Sequence, residues 1–342
     1  MKMHVPCSMK AVSLKAYEPD LKKSVKNLQI EERPVPKPSK AQVLIRVEAA
    51  AINPADLSFI QGLYGARPNL PVIPGFEGTG TVVEAGESSL AQGLIGKRVF
   101  FAAMNTHDGT WTEYATTDAF SCFNLRLNVP PEQAAGLIVN PFTAFGLLQT
   151  AADNGSKAII QTAAAGQLGH MLAKIAKMKS MKVINVVRDK KQKKMMLDEG
   201  EKYVLDSTEK DFEEQIQKLA RKLRATTLVD CVSGDLPGRI FNVMPDSSKM
   251  IVFGALSGKG LENVDPRELI FKGKKIEGFI LGEWLANLET SSMMEITSEI
   301  QTLFAGKELE TKINKIIKLD EIRDGILTYA NNMTRGKIVL MP

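Results

Sequence analysis

Residues that commonly build metal centres, disulfides and proton-relay triads are scarce in this chain. Its 342 residues include only three cysteines and three histidines. The cysteines (Cys7, Cys122 and Cys231) are widely spaced, which predicts no disulfide framework and favours a reducing compartment. The histidines are equally scattered and offer no catalytic triad.

Long apolar runs and targeting signals are also missing. No run approaches the roughly 20 residues that a membrane-spanning helix requires. The first eight residues lack the apolar core of a secretion signal and the Arg/Ser richness of a transit peptide, so we expect a cytoplasmic protein. The 44 basic and 39 acidic residues are interspersed, so the net charge of +5 argues little for nucleic acid or a membrane as a partner.

The composition supports two domains of different type. Hydrophobic residues make up 44% of a chain that is longer than one ordinary core. Strand-like segments separated by Pro- and Gly-rich turns predominate up to about residue 125, and helices alternating with buried strands follow, which predicts a parallel sheet. We predict a β-rich domain (1–127 and 273–342) with a Rossmann domain (128–272) inserted in its sequence.

The segment from residue 158 to residue 188 predicts a dinucleotide site. Ala158–Gln161 resembles a buried strand, a turn of small residues follows, and a helical pattern leads to a second strand at Lys182–Val187. Such a turn lets a pyrophosphate approach backbone amides at the positive end of a helix dipole. In the G-x-G-x-x-G pattern the first glycine is replaced by Ala164, and an ordinary tight turn is the alternative. The predicted contacts are Ala165, Gly166, Gln167, Leu168 and Gly169.

The end of the second strand indicates which dinucleotide binds. NAD-preferring sites carry an acidic residue there, which bonds the ribose 2′-hydroxyl. This chain has Arg188, and a guanidinium binds a 2′-phosphate through paired, charge-assisted hydrogen bonds. We therefore predict NADP(H), with Arg188, Lys190 and the strand-end residue Gly254 among its contacts. His170 either helps to neutralise the pyrophosphate or is exposed to solvent.

Several further motifs occur in a characteristic order along the chain. They are Asn53-Pro54-Ala55-Asp56, the later Tyr64, Gly75-Phe76-Glu77-Gly78 and Asn140-Pro141-Phe142-Thr143-Ala144. With these motifs the chain resembles zinc-independent medium-chain dehydrogenases/reductases, in the branch of quinone oxidoreductases and 2-enoyl thioester reductases. The resemblance extends from Met9 to Pro342. It implies an α/β protein with a GroES-like β-rich catalytic domain and a doubly wound parallel Rossmann sheet.

The departures from zinc alcohol dehydrogenases are equally informative. Asn53 stands where those enzymes carry a catalytic cysteine, and Phe76 stands where they carry a histidine. The third ligand position falls near Val139, and the four-cysteine lobe of the structural zinc is missing. Because zinc needs three or four Cys, His or carboxylate ligands at one point, we expect no metal.

The resemblance also implies roles for individual residues. Tyr64 matches the tyrosine thought to act as donor or acid in enoyl thioester reductases, although an aromatic on a surface loop is the alternative. Asn53 is expected to contact substrate or nicotinamide, or else to cap the turn at Pro54. Thr143 matches the position that contacts the nicotinamide carboxamide, and Asn140 lies beside it in a segment that resembles the thioester reductases. We interpret Asp56 as a helix cap, and Trp111 and Cys231 as core residues.

Together these features predict an NADPH-dependent reductase of a quinone, an enone or an enoyl thioester. A non-catalytic NADPH-binding sensor or structural subunit is the alternative, since a fold does not fix its substrate. Relatives often form homodimers through the edge strands of their Rossmann sheets. The candidate edge strand here is Lys275 to Leu281.

Overall fold

A computed structural model describes residues 4–103, 108–126 and 128–342. Its strands, in chain order, are β1 Ser8–Leu14, β2 Leu28–Pro34, β3 Gln42–Ala51, β4 Glu77–Ala85, β5 Arg98–Ala102, β6 Tyr114–Asp118, β7 Cys122–Asn124, β8 Ala158–Gln161, β9 Lys182–Val187, β10 Val204–Asp206, β11 Ala225–Asp230, β12 Lys249–Val252, β13 Lys275–Gly278, β14 Ile313–Ile317 and β15 Lys337–Leu340.

The α-helices in the same described ranges alternate with the strands mainly after residue 139. They are α1 Leu21–Lys26, α2 Pro54–Ile60, α3 Ser89–Gln92, α4 Pro131–Ala134, α5 Val139–Asp153, α6 Gln167–Met178, α7 Lys190–Asp198, α8 Phe212–Leu223, α9 Leu236–Val243, α10 Pro266–Lys272, α11 Leu281–Ala286, α12 Thr290–Ala305 and α13 Ile322–Asn331.

The described residues form two compact units. Unit 1 comprises the chain up to Asn140 together with Ser291–Pro342, and unit 2 is Pro141–Thr290. The predicted boundaries lay at 127/128 and 272/273, so the structure differs by up to 18 residues at the second one. The reason is β13, which hydrogen-bonds to β12 and so belongs to the sheet of unit 2. This strand pairing, which local composition does not reveal, extends unit 2 beyond residue 272, and the boundary itself follows α11.

Unit 2 is a doubly wound Rossmann domain. Its six strands pair in the order β10-β9-β8-β11-β12-β13, and every pairing is parallel. Counted from β8, this is the 3-2-1-4-5-6 order of dinucleotide-binding sheets. The amphipathic helix α6 buries Met171, Leu172 and Ile175, which lie on one face at helical spacing. The prediction of a Rossmann sheet is confirmed.

Unit 1 is the β-rich domain, and its main sheet joins distant parts of the chain. Seven strands form it, in the order β14-β15-β3-β4-β5-β7, with β6 paired to β3. The last strand, β15, runs antiparallel to β3 and parallel to β14. A separate two-stranded sheet consists of β1 and β2. The prediction of a GroES-like β-rich domain is confirmed.

The core of unit 1 combines residues from both of its sequence segments. Trp111, Ile52 and Ile338 are fully buried in one apolar cluster, which also receives α13. Among the described residues, no helix is both long enough and apolar enough to cross a membrane.

Candidate functional site

The small-residue turn of unit 2 lies between β8 and α6, as predicted. Gly166 is the residue that precedes the helix, and Gln167 begins it. The first N–H groups of a helix have no partner within it, so this end of α6 presents backbone donors. Gly169 has no room for a side chain, because a Cβ there would collide with the Ala164 carbonyl. Ala164 and Ala165 are buried and pack on Val187, which keeps the turn close to β9.

Buried polar side chains anchor this turn to neighbouring strands. The Thr162 hydroxyl donates to Asp230 Oδ1 at 2.6 Å, and the same carboxylate accepts the N–H groups of Val232 and Ser233. On the other side, Gln161 Nε2 donates to the Gly169 carbonyl oxygen at 3.0 Å. The backbone shape of the turn is therefore held from both sides. A pyrophosphate-binding loop needs this rigidity, because its amides must point at the ligand in advance.

Arg188 lies at the end of β9 with a side chain that is 72% exposed. Its nearest charged neighbour is Asp189, whose carboxylate is 3.8 Å from Arg188 Nε. The Asp189 side chain is also engaged, since it accepts the Gln192 N–H at the start of α7. Lys190, the first residue of α7, is exposed as well. Both basic side chains are thus available to an anionic group at the end of β9.

The other predicted cofactor residues of unit 2 have defined neighbours. Gly254 follows β12 and lies against Cys231, and its carbonyl accepts the Ser233 hydroxyl. Burial raises the pKa of the Cys231 thiol to about 12, which suits the predicted inert role. His170 Nδ1 is 3.1 Å from Glu199 Oε2, so its side chain has a protein partner.

In unit 1, four polar side chains are buried together: Asn53, Asp56, Glu77 and Lys337 (the buried polar cluster). The Lys337 ammonium donates to Asn53 Oδ1, and Asn53 Nδ2 donates to Glu77 Oε1 at 2.8 Å. The other Glu77 oxygen accepts the N–H groups of Ile138 and Val139, at 3.0 and 2.9 Å. A carboxylate thus binds the amino terminus of α5, where the helix dipole favours negative charge.

Asp56 connects this cluster to an aromatic group. Its carboxylate accepts the Asn53 N–H at 2.7 Å and the Phe76 N–H at 3.1 Å. The first bond is the reciprocal half of a capping box at the start of α2, in line with the predicted capping role. Phe76 in turn packs against Tyr64, with ring centroids 4.7 Å apart.

The cluster contains two carboxyl groups and one ammonium group. Burial is the main cause that raises the pKa of Glu77 and lowers that of Lys337. The positive charge of Lys337 opposes the rise at Glu77, and the negative charge of Glu77 opposes the fall at Lys337. Burial also raises the pKa of Asp56 to about 7, while the Asn53 N–H and the Lys337 charge oppose this rise. Glu77 accepts three N–H donors and Asp56 two, so Glu77 is the better-stabilised anion. We therefore expect Asp56, rather than Glu77, to be the carboxyl group that binds and releases a proton near pH 7.

This proton predicts a pH dependence of stability. The folded chain binds this proton more tightly than the unfolded chain does. Protonated Asp56 therefore makes its whole contribution to the free energy of unfolding below about pH 4, near the ordinary pKa of an aspartate. It is lost as the pH rises through about 7. The charges of Lys337 and Glu77 act on this carboxyl, and the Asp56 charge in turn raises the pKa of the neighbouring Tyr64 and Tyr329.

We expect the stability difference between the wild type and Asp56→Asn to shrink as the pH rises between these limits. Urea unfolding across the pH range measures it. A difference that does not change with pH would contradict the assignment.

Tyr64 is half-buried in the segment after α2. Burial, and secondarily the Asp56 charge, raises the pKa of its hydroxyl above the ordinary value of 10.0. The hydroxyl therefore stays protonated at neutral pH and can donate a hydrogen bond. The Phe76 contact fixes one face of its ring, which an isolated surface aromatic would lack.

Asn53 is placed differently from the sequence prediction. A contact with substrate or nicotinamide was expected, but its side chain is fully buried and both ends of its amide bond to Lys337 and Glu77. Asn53 is the N-cap residue of α2, which begins at Pro54, and its backbone N–H bonds to Asp56 in the capping box, in line with the alternative capping role. Trp111 is fully buried in the core, as its sequence interpretation stated.

Sequence reasoning missed Lys337, Glu77, Thr162 and Gln161 as site residues. The available signal for Lys337 was a lone charged residue at the start of an apolar terminal strand. Asn140 and Thr143 lie in the first turns of α5 and are nearly buried, at 8% and 7% exposure. Their expected nicotinamide contacts stay predictions.

The three positions that correspond to zinc ligands do not fit a zinc ion. Asn53, Phe76 and Val139 provide an amide, a phenyl ring and an isopropyl group, none of which is a zinc ligand. The Lys337 ammonium adds a positive charge at the same place. Within the described residues, no group of three or more His, Cys, Asp or Glu side chains could hold a metal.

Comparisons with known proteins match both units. The family described as alcohol dehydrogenase GroES-like domain matches residues 39–127, and the family described as zinc-binding dehydrogenase matches residues 168–299. Mitochondrial enoyl-[acyl-carrier-protein] reductase of Mus musculus is 30% identical over 262 residues, which cover 75% of this chain and 69% of the relative.

Two further matches cover nearly the whole chain. The crystal structure of a candidate NADPH:quinone reductase from Mesorhizobium loti has a TM-score of 0.92 and 32% identity, covering 99% of this chain and 100% of that one. Synaptic vesicle membrane protein VAT-1 homolog of Rattus norvegicus is 23% identical over 333 residues, covering 92% of this chain and 81% of the relative.

Proposed function

The chain belongs to the medium-chain dehydrogenase/reductase family and is an oxidoreductase, and we propose that it transfers a hydride from NADPH to a quinone or another conjugated carbonyl compound without zinc. The observation that carries the proposal is the whole-chain match to the candidate NADPH:quinone reductase. The exposed Arg188 at the end of β9 supports the choice of NADPH over NADH.

Most of the predicted cofactor residues have a defined task in this proposal. The amides of the turn at 162–169 and the start of α6 bind the pyrophosphate, and Arg188 and Lys190 bind the 2′-phosphate. Asn140 and Thr143 orient the nicotinamide carboxamide. When bound, NADPH supplies the hydride.

Tyr64 alone takes the donor role. Its protonated hydroxyl donates to the carbonyl oxygen, where negative charge develops as the conjugated carbon accepts the hydride. Solvent or Tyr64 then supplies the proton that completes the reduction. Asn53 is assigned a positioning role, because both ends of its amide are engaged by protein groups.

A trans-2-enoyl thioester is the second candidate substrate. The favouring observation is the 30% identity to the mouse enoyl-[acyl-carrier-protein] reductase. The same residues would act, since a thioester carbonyl also gains negative charge when its conjugated carbon accepts a hydride.

The experiment that tests the proposal is NADPH and NADH oxidation against a small acceptor panel. It contains a benzoquinone, a naphthoquinone, a short enone and a trans-2-enoyl-CoA. Turnover with quinones or the enone supports the first proposal, and turnover confined to the enoyl-CoA supports the second. Tight NADPH binding without oxidation in any reaction would overturn both and favour the sensor or structural subunit.

Arg188→Glu should weaken NADPH binding by about 10- to 100-fold, the effect of losing charge-assisted hydrogen bonds. NADH binding should change much less, because NADH lacks the 2′-phosphate. Lys191→Glu is the matched control, since it makes the same charge change at an exposed position of α7. Fluorescence titration of both nucleotides measures these affinities, and equal losses for NADPH and NADH would remove the 2′-phosphate role.

We also propose a homodimer that pairs through β13. Within the described strands, β13 is an edge strand whose only sheet partner is β12. Exposed apolar side chains lie close to it in sequence, with Phe271 at 78% and Ile280 at 56% exposure. Light scattering after size exclusion should give twice the chain mass for the wild type and a monomer for Phe271→Glu/Ile280→Glu. A monomeric wild type would overturn this proposal.

A further inference from the structure

Lys337 is a buried charge that the proposed chemistry does not use. It is 1% exposed and lies in β15, with its ammonium directed at Asn53 Oδ1 and, at 3.4 Å, at the Ile52 carbonyl oxygen. A buried ammonium is costly unless it is paired. Its recorded hydrogen-bond partners are the Asn53 side chain and the Ile52 backbone.

The contact with Lys337 determines how the Asn53 amide is oriented. An ammonium can only donate, so the Asn53 oxygen must face Lys337 and the Asn53 nitrogen must face away. That nitrogen donates to Glu77 Oε1 at 2.8 Å. Lys337, which can only donate, and the Glu77 carboxylate, which can only accept, thus require the same orientation of Asn53 and are linked through it.

Glu77 transmits this arrangement to α5. Its second oxygen holds the N–H groups of Ile138 and Val139, which are the residues at the amino terminus of the helix. Asn140 and Thr143 follow within the first turns of the same helix. A continuous chain of hydrogen bonds thus leads from Lys337 to the start of α5.

We propose that Lys337 is a positioning residue: acting through Asn53 and Glu77, it fixes the amino-terminal turn of α5 and thereby the nicotinamide-contacting residues on it. This inference rests on the proposed function, because it takes Asn140 and Thr143 as contacts of the nicotinamide.

The test compares Lys337→Met, which keeps the length of the stem but loses the charge, with Lys337→Arg, which keeps the charge and the donors. Lys315→Met is the control, because Lys315 lies in the neighbouring strand β14 with an exposed side chain. The readouts are kcat and KM for the acceptor that the wild type reduces best, the affinity for NADPH, and hydrogen–deuterium exchange of the segment 136–142.

Lys337→Met should lower kcat by about 10- to 100-fold, as expected when reacting groups are misplaced. NADPH affinity should change less than about threefold, because the phosphate-binding residues are untouched. Exchange at 136–142 should accelerate about tenfold or more, and exchange at 162–170 should not change. Lys337→Arg should recover most of kcat, and Lys315→Met should resemble the wild type in every readout.

Wild-type kcat in folded Lys337→Met, or unchanged exchange at 136–142, would overturn the inference. If Lys337→Met does not fold, Lys337→Gln replaces it with the same expected results, because a neutral amide can present either its oxygen or its nitrogen to Asn53 and so does not fix the Asn53 orientation. If none of the acceptors in the panel supports NADPH oxidation by the wild type, the proposed function fails. The exchange readout then still decides whether Lys337 controls the start of α5.

Discussion

Tyr64→Phe should lower kcat by about 100- to 1,000-fold, the usual effect of removing one donor to a developing oxyanion. The variant loses only a hydroxyl, and the ring contact with Phe76 is kept. NADPH affinity should therefore stay close to that of the wild type. Stopped-flow or steady-state NADPH oxidation with the best acceptor of the panel measures the change.

The matched control is Tyr114→Phe, which removes a hydroxyl from another partly buried tyrosine that packs on the same core. It should leave kcat within about twofold of the wild type, as expected for a position outside the reaction. Because burial raises the Tyr64 pKa, ionisation of this hydroxyl should not lower the wild-type kcat below about pH 10. Unaltered turnover of Tyr64→Phe would reduce Tyr64 to a packing residue.

Glu77→Leu should destabilise unit 1 by about 3–5 kcal/mol, the usual cost of leaving a buried charge without its partner. The change removes the acceptor of three N–H groups and leaves Lys337 with Asp56 as the remaining carboxyl group of the cluster. Asp56 cannot compensate fully, since its own burial raises its pKa to about 7.

Unfolding should be followed through Trp111 in a Trp284→Phe background, because the chain has two tryptophans and only Trp111 lies in unit 1. Urea denaturation of Trp284→Phe and of Trp284→Phe/Glu77→Leu then gives the free energy of unfolding of unit 1 in each protein. Glu84→Leu, at an exposed position of the same strand β4, should cost no more than about 0.5 kcal/mol. If Glu77→Leu lowers the free energy of unfolding by less than about 1 kcal/mol, the view that Glu77 balances the buried charge of Lys337 is contradicted.

Local sequence signals were sufficient for the cofactor turn. β8 and β9 have the bounds that their buried apolar runs predict, and Gly166, Gly169 and Arg188 lie where the pattern requires. These features depend on consecutive residues, so a short window contains the whole signal. By contrast, the ends of β6 at Tyr114 and Asp118 are set by its pairing with β3, which no short window of sequence contains.

The buried polar cluster could not be predicted in the same way. Lys337 and Asn53 are 284 positions apart, and no local pattern indicates that β15 pairs beside β3. Read alone, Lys337 is an ordinary basic residue after a glycine, and Asn53 is an ordinary turn residue before a proline. The charge balance that defines the cluster exists only after the sheet has formed, which is why Asn53 was assigned to ligand contact from its motif alone.

The late position of β15 has a consequence for biosynthesis. β15 occupies an interior place in the seven-stranded sheet, between β14 and β3, yet it is translated after all of unit 2. During synthesis the contiguous unit 2 can fold as soon as it leaves the ribosome, since domains fold as units from the amino terminus onward. Over the same interval the carboxyl end of β3 has an open edge, a form prone to pairing with other chains. We therefore expect the nascent β-rich unit, rather than the Rossmann unit, to depend on chaperone protection until its final strand arrives.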